Sequence, residues 1–370
     1  MRTCALLLAV LCFACSSSSP TARSARAKPA PTSSCALETA DRLWLQEALD
    51  MWAFASERLL LLEERPLPWM IFFDARCAFH LQPDRHADPL VGSEPLATLH
   101  AGAREVAVYS RAHEDGLVLP DGERRPLGPM AFASVYRREK RPFSYFVLAL
   151  MSVWSTHPKV KHGTSVSERI LTVAVHELAH THQLIPLELQ VNALSTAPAS
   201  LSDDVVEQAF RGNADYQEAY FAERDLLFEA AAHTDPAEQR RLARAALAKA
   251  RARHARFFVG KHAVLAALEP MFLHLEGVGE WVRVRLIEES ENFPERPELE
   301  RADPLFDGYR ELRRMSRADA LLFVRGKDND WVQDHGLALF MLIVRLVPGW
   351  QKRAFAGDLI SPYALLEQAL

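Results

Sequence analysis

The sequence predicts an α+β fold in which a small strand-rich segment leads into a long helical remainder. Three observations carry this: short β-branched and aromatic runs set off by Pro, Gly and Asp turns between residues 66 and 155, helical periodicity almost throughout from Ser165 onward, and no internal repeat. The 370 residues are 49% hydrophobic and 25% charged, enough for a large core and too balanced for global disorder. A net charge of −5 gives no whole-chain attraction for nucleic acid, so no nucleic-acid partner is expected, and neither a phosphate-binding glycine loop nor a dinucleotide fingerprint occurs. No apolar run reaches the ~18 residues of a membrane span. Leu337 to Val347 is short and carries Arg345.

Residues 1–14 read as an export signal, with Arg2 ahead of an apolar stretch from Ala5 to Ala14. Leu11-Cys12-Phe13-Ala14-Cys15 resembles a bacterial lipoprotein cleavage site, which implies a lipid on Cys15 and a chain tethered to a membrane of the bacterial envelope. A plain secretory signal cut nearby is the alternative. Residues 15–36, rich in Ser, Ala and Pro, read as a flexible linker to a domain spanning 37–370. Cleavage at Cys15 leaves Cys35 and Cys77, and two thiols in an oxidising compartment favour a disulfide over two separate buried thiols.

Leu45, Leu49, Trp52 and Leu59 recur at helical spacing, predicting an amphipathic helix from Leu37 to Leu62 that ends before Pro66. Strands are predicted at Trp69 to Phe73, Cys77 to Leu81, Glu105 to Ser110, Met130 to Tyr136 and Phe143 to Leu150. Next comes a helix over 165–185, capped by Ser165 or Ser167 and stopped by Pro186. A helical insertion covers 202–262. Its stretch from Glu238 to His262 holds eight Lys or Arg against one acidic residue, and reads as a solvated face with snorkelling arginines in preference to a membrane-surface helix. A last informative helix spans 271–289.

The chemistry lies in Val175-His176-Glu177-Leu178-Ala179-His180. Histidines four apart on a helix stack on one face and can grip one metal ion, while Glu177 projects beside them as a general base. Chance would produce this five-residue pattern about 0.04 times in a chain of this composition. The apolar flanks Ile170, Leu171, Val173, Ala174 and Leu184 bury the helix, and buried imidazoles and a carboxylate need a compensating partner. His182, two residues past His180, points away from that face.

This segment resembles the active-site helix of the zincin metallopeptidases. The resemblance implies a zincin-like fold, Zn2+ held by His176 and His180, Glu177 as catalytic base, and a peptide or protein substrate laid along an edge strand. Members with a third histidine carry Gly and His soon after the second; here Leu184, Ile185, Pro186 and Leu187 stand instead, so an acidic third ligand is implied. Glu276-Gly277-Val278-Gly279-Glu280 resembles the Glu-Gly-x-x-Glu helix of gluzincins, which implies Glu276 on zinc and Glu280 behind a ligand. Each helical glycine costs about 1 kcal/mol against alanine, which fits close approach of the His176 helix. Glu223, Asp225 and Glu229 remain rival ligands. Tyr216, Tyr220, His233 and His274 are candidate oxyanion donors, and His80, His86, His100 and His113 read as surface or turn residues. The expectation is a zinc metallopeptidase; the alternative is an inactive zinc-binding envelope module whose insertion is an interaction surface.

Overall fold

The computed structural model describes residues 35–62, 67–82, 93–113, 116–138, 141–155, 166–194, 202–319, 331–356 and 361–370. The signal, Cys15, His86 and Ser165 lie outside them. The strands are β1 (Trp69–Phe73), β2 (Cys77–Gln82), β3 (Glu94–Ala101), β4 (Arg104–Ala112), β5 (Leu117–Val118), β6 (Arg124–Arg125), β7 (Ala131–Arg138) and β8 (Arg141–Ala149). The helices are α1 (Thr39–Phe54), α2 (Met151–Trp154), α3 (Val166–His180), α4 (Leu184–Asn192), α5 (Val205–Phe210), α6 (Ala214–Ala232) and α7 (Pro236–Phe257). They continue as α8 (Leu265–Glu289), α9 (Pro297–Ala302), α10 (Arg310–Asp319), α11 (Trp331–Leu346), α12 (Trp350–Ala354) and α13 (Pro362–Glu367). The fold is α+β, a small sheet followed by helices.

Six strands form one mixed sheet in the order β3-β4-β2-β1-β8-β7. β1 and β8 pair in parallel, with Trp69 opposite Tyr145 and Phe73 opposite Ala149, and the other pairings are antiparallel. Trp69-Met70-Ile71-Phe72-Phe73 is buried on both faces, as a central strand flanked by a parallel neighbour requires. β3 escaped the sequence reading. Its Pro95 and a register shift between Pro95 and Ala97 are tolerated because it is an edge strand. His80, expected at the surface or in a turn, is buried in β2, because the sheet is covered on both faces there. His100 lies exposed on β3, and His113 is half-buried just after β4.

α1 runs into a π-helical turn, Ala55–Leu59, and Leu61 at φ +54° ends the segment. Cys35 and Cys77 form a disulfide that ties the lead-in of α1 to the first residue of β2. At its far side α1 is locked by later residues: Glu47, 3% exposed, accepts from Arg296 Nε at 2.6 Å and Tyr309 Oη at 2.9 Å. Glu168 on α3 accepts the backbone N–H groups of Asp307 and Tyr309, fixing that loop.

α3 starts at Val166, next to the expected 165, with the Ser165 cap outside the described residues, but the Ser167 cap and the stop at Pro186 are not as read. Ser167 is buried inside the helix, and Pro186 sits in the first turn of α4, where a missing N–H costs no helical hydrogen bond. α6 and α7 form a hairpin in which Asn213 caps α6 through Tyr216 N, and Asp235 with Pro236 starts α7. The exposed arginines of α7 are mostly paired, Arg241 with Glu238, Arg251 with Glu367 and Arg256 with Asp215. Arg253 is the exception. It is buried among Glu223, Glu269, Tyr216 and Tyr363.

Candidate metal centre

α3 and α8 cross where one glycine, Gly279, removes the side chain that would hold them apart. A Cβ on Gly279 would stand 2.7 Å from His176 Cε1 and 2.9 Å from His180 Cε1, so both imidazoles lie directly on the α8 backbone. The expected approach of the His176 helix is therefore made at Gly279. At Gly277 the neighbour is a different one, since its Cβ would stand 2.6 Å from the carbonyl oxygen of Gly336 on α11.

The crossing brings His176, His180 and Glu276 together, with one ligand atom from each inside a 4.8 Å span. The two Nε2 atoms face each other at 2.9 Å. Glu276 sends Oε2 to within 3.3 Å of His176 Nε2 and Oε1 to within 3.4 Å of His180 Nε2. All three are at most 3% exposed, and no hydrogen bond satisfies either oxygen of Glu276 among the described residues. Two imidazole nitrogens and a carboxylate pointing at one buried spot are electron-rich groups that repel unless a proton or a metal cation lies between them. This donor set fits a metal ion.

Glu280, one turn past Glu276, puts Oε1 3.1 Å from His176 Nδ1. A carboxylate there fixes the ring so that Nε2 faces the centre. Burial opposes ionisation of Glu280, yet Arg283, at 3.2 Å, and His176 hold it down to about 2. Burial also works against the charged form of His176, but Glu276 and Glu280 outweigh it and raise the ring to about 10. Glu276 is held well below the usual carboxylate range, because the two histidines overcome its burial.

Glu177 is 1% exposed, and burial raises its pKa against the pull of His180 and His176. One oxygen takes the backbone N–H of Ala133 on β7, and Oε2 has no partner among the described residues. Met130 O accepts from Ala149 N, so residues 130, 132 and 134 pair with β8 while the N–H of 133 points off the sheet toward α3. The outer edge of β7, which pairs with no further strand among the described residues, thus borders the centre.

The rival ligands go elsewhere. Glu223 is fully buried, bound by Arg253 at 2.9 Å, His335 at 2.8 Å and Tyr363 at 2.8 Å, far from ordinary surface helix charge. Asp225 pairs with Arg224, and Glu229 is exposed. The oxyanion candidates are also occupied: Tyr216 donates to Glu269, Tyr220 to the carbonyl of Trp331, and His274 lies 3.0 Å from the carbonyl of Ala354. His233 caps α6. His182 does point away, and stacks on Trp52 with ring centroids 5.7 Å apart.

One acid that senses the centre's charges escaped the sequence reading. Burial, then the charges of Glu276, Asp204 and Glu177, push Asp203 up to about 8. Two consecutive aspartates before α5 give no sequence signal for that. Comparisons with protein-family models, with curated proteins and with solved structures find no match to this chain.

Proposed function

We propose that the chain is a zinc-dependent hydrolase with a zincin-like arrangement, most simply a metallopeptidase. The observation that carries the reading is the unsatisfied carboxylate of Glu276 buried against the Nε2 atoms of His176 and His180, with the free Oε2 of Glu177 one residue along the same helix. His176, His180 and Glu276 would hold the ion, and imidazole with carboxylate is a donor set suited to zinc. Zinc would supply Lewis-acid chemistry that makes water a nucleophile near neutral pH.

The remaining work falls to the chain. Glu280 orients His176. Glu177, its proton affinity raised by burial, takes the proton of the attacking water through Oε2 and passes it to the leaving amine. The N–H of Ala133 holds the other Glu177 oxygen in place, and the outward N–H and C=O groups of β7 can pair with an extended peptide.

One observation favours a second reading. The four groups are at most 3% exposed, a closure that suits a structural ion in a non-catalytic binding module of the envelope. Glu177→Gln separates the two. In the enzyme it retains metal and fold, and lowers peptide cleavage at least a hundredfold, as loss of a general base does. A wild-type protein that cleaves no member of a broad peptide library, and binds a partner equally well with Glu or Gln, would establish the binding module. The proposed envelope location is tested by mass spectrometry of the mature N-terminus, which should carry lipid on Cys15.

A further inference from the structure

The sheet buries a second polar site on the face turned away from α1. Phe72 of β1 packs edge-on against Trp44 of α1, and Phe79 of β2 lies opposite Phe72. Side chains alternate along a strand, so Ala78 and His80 point to the other face, with Arg111 of β4 opposite Ala78. Over that face the β5–β6 hairpin borders a partly open pocket of about 200 Å3 lined by Ala78, His80, Arg111, His113, Val118 and Arg124.

His80 is fully buried, and neither ring nitrogen has a hydrogen-bond partner among the described residues. Burial, then the neighbouring Arg111, lowers its pKa to about 4, so at neutral pH it offers one N–H and one lone pair. His113 Nε2 lies 3.0 Å from the carbonyl oxygen of Asp74 and therefore carries the ring proton. Its Nδ1, buried and unpartnered, is a second lone pair. Arg111 and Arg124 add guanidinium donors, and neither has a carboxylate partner among the described residues.

The lining thus combines positive donors with two acceptors. A carboxylate satisfies only the donors, and a metal cation would meet the lone pairs while two guanidiniums repel it. An oxyanion that keeps an acidic O–H satisfies both. We propose that this cavity binds inorganic phosphate, which keeps an O–H at neutral pH, with Arg111, Arg124 and the His80 N–H on its charged oxygens and a lone pair of His113 or His80 accepting its O–H. The volume admits a phosphate ion.

Calorimetric titration of the full chain at neutral pH with inorganic phosphate, phosphoserine and sulfate tests this. Phosphate should bind saturably, and sulfate, which has no O–H, should bind roughly tenfold or more weaker. Arg111→Gln and the exposed Arg124→Gln should each weaken phosphate by roughly tenfold, and His80→Phe should abolish it. Phosphoserine, whose phosphate is mostly the dianion without an O–H at neutral pH, should bind weaker than inorganic phosphate, and tighter binding overturns the proposal. No saturable binding up to roughly 10 mM phosphate, sulfate binding as tightly, or unchanged affinity in both arginine variants overturns the proposal. If His80→Phe fails to fold, the two arginine variants decide.

Discussion

At the scale of single residues, Glu276 has the largest predicted effect. Glu276→Ala removes the one carboxylate that faces both Nε2 atoms, so metal retention measured by elemental analysis after dialysis should fall at least tenfold. Unchanged metal content would remove it from the ligand set. His80 sets a pH dependence remote from that centre. Its folded pKa of about 4 lies below the unfolded value of 6.5, so it contributes stability fully above pH 6.5 that is lost as pH falls through the folded value. The loss between those limits is on the order of 3 kcal/mol. Denaturant titrations across that range should show the decline, and His80→Phe should flatten it. The pair His176 and His180 was legible because a four-residue spacing is local, and Glu276 because the nearby Gly279 marks a close approach, whereas Gly277 serves the contact with α11. His80 was misread, since burial on a sheet covered on both faces is decided by strands and a hairpin far away in sequence.

Elements transmit positions to the centre through backbone contact. Gly279 carries both imidazoles against α8, and Gly277 meets Gly336 on α11. Gly279→Ala gains about 1 kcal/mol of helix propensity but forces the rings outward, costing roughly 1–3 kcal/mol. We expect a modest fall in melting temperature together with a loss of metal affinity of tenfold or more, read by competition with a chromophoric chelator. Gly336→Ala should separate α8 from α11 and lower stability by a similar amount, with the metal ligands themselves untouched. A glycine in α8 can be read from the sequence, but its partner on α11 cannot, because that pairing is fixed by helix packing across some sixty residues. The same limit hid β3, whose proline and alanines lack strand propensity and which is held by pairing with β4.

Across the whole molecule, one covalent bond and one buried ionic cluster hold distant parts together. The Cys35–Cys77 disulfide closes a loop with a sequence separation of 42, worth roughly 3 to 4 kcal/mol in the chain-entropy model. Replacing both cysteines with serine should lower unfolding free energy by about that amount in guanidinium titrations. The Arg253 cluster joins α6, α7, α8 and α13, and leaving Glu223 and Glu269 buried without their cation, as Arg253→Met does, should cost about 3 to 5 kcal/mol. Glu47 has its own consequence during synthesis. Its partners Arg296 and Tyr309 are made 249 and 262 residues later, which at ribosomal speed is a wait of roughly ten seconds to a minute. Until then water solvates that acid, so the first helix reaches its final seat only when the chain is nearly complete.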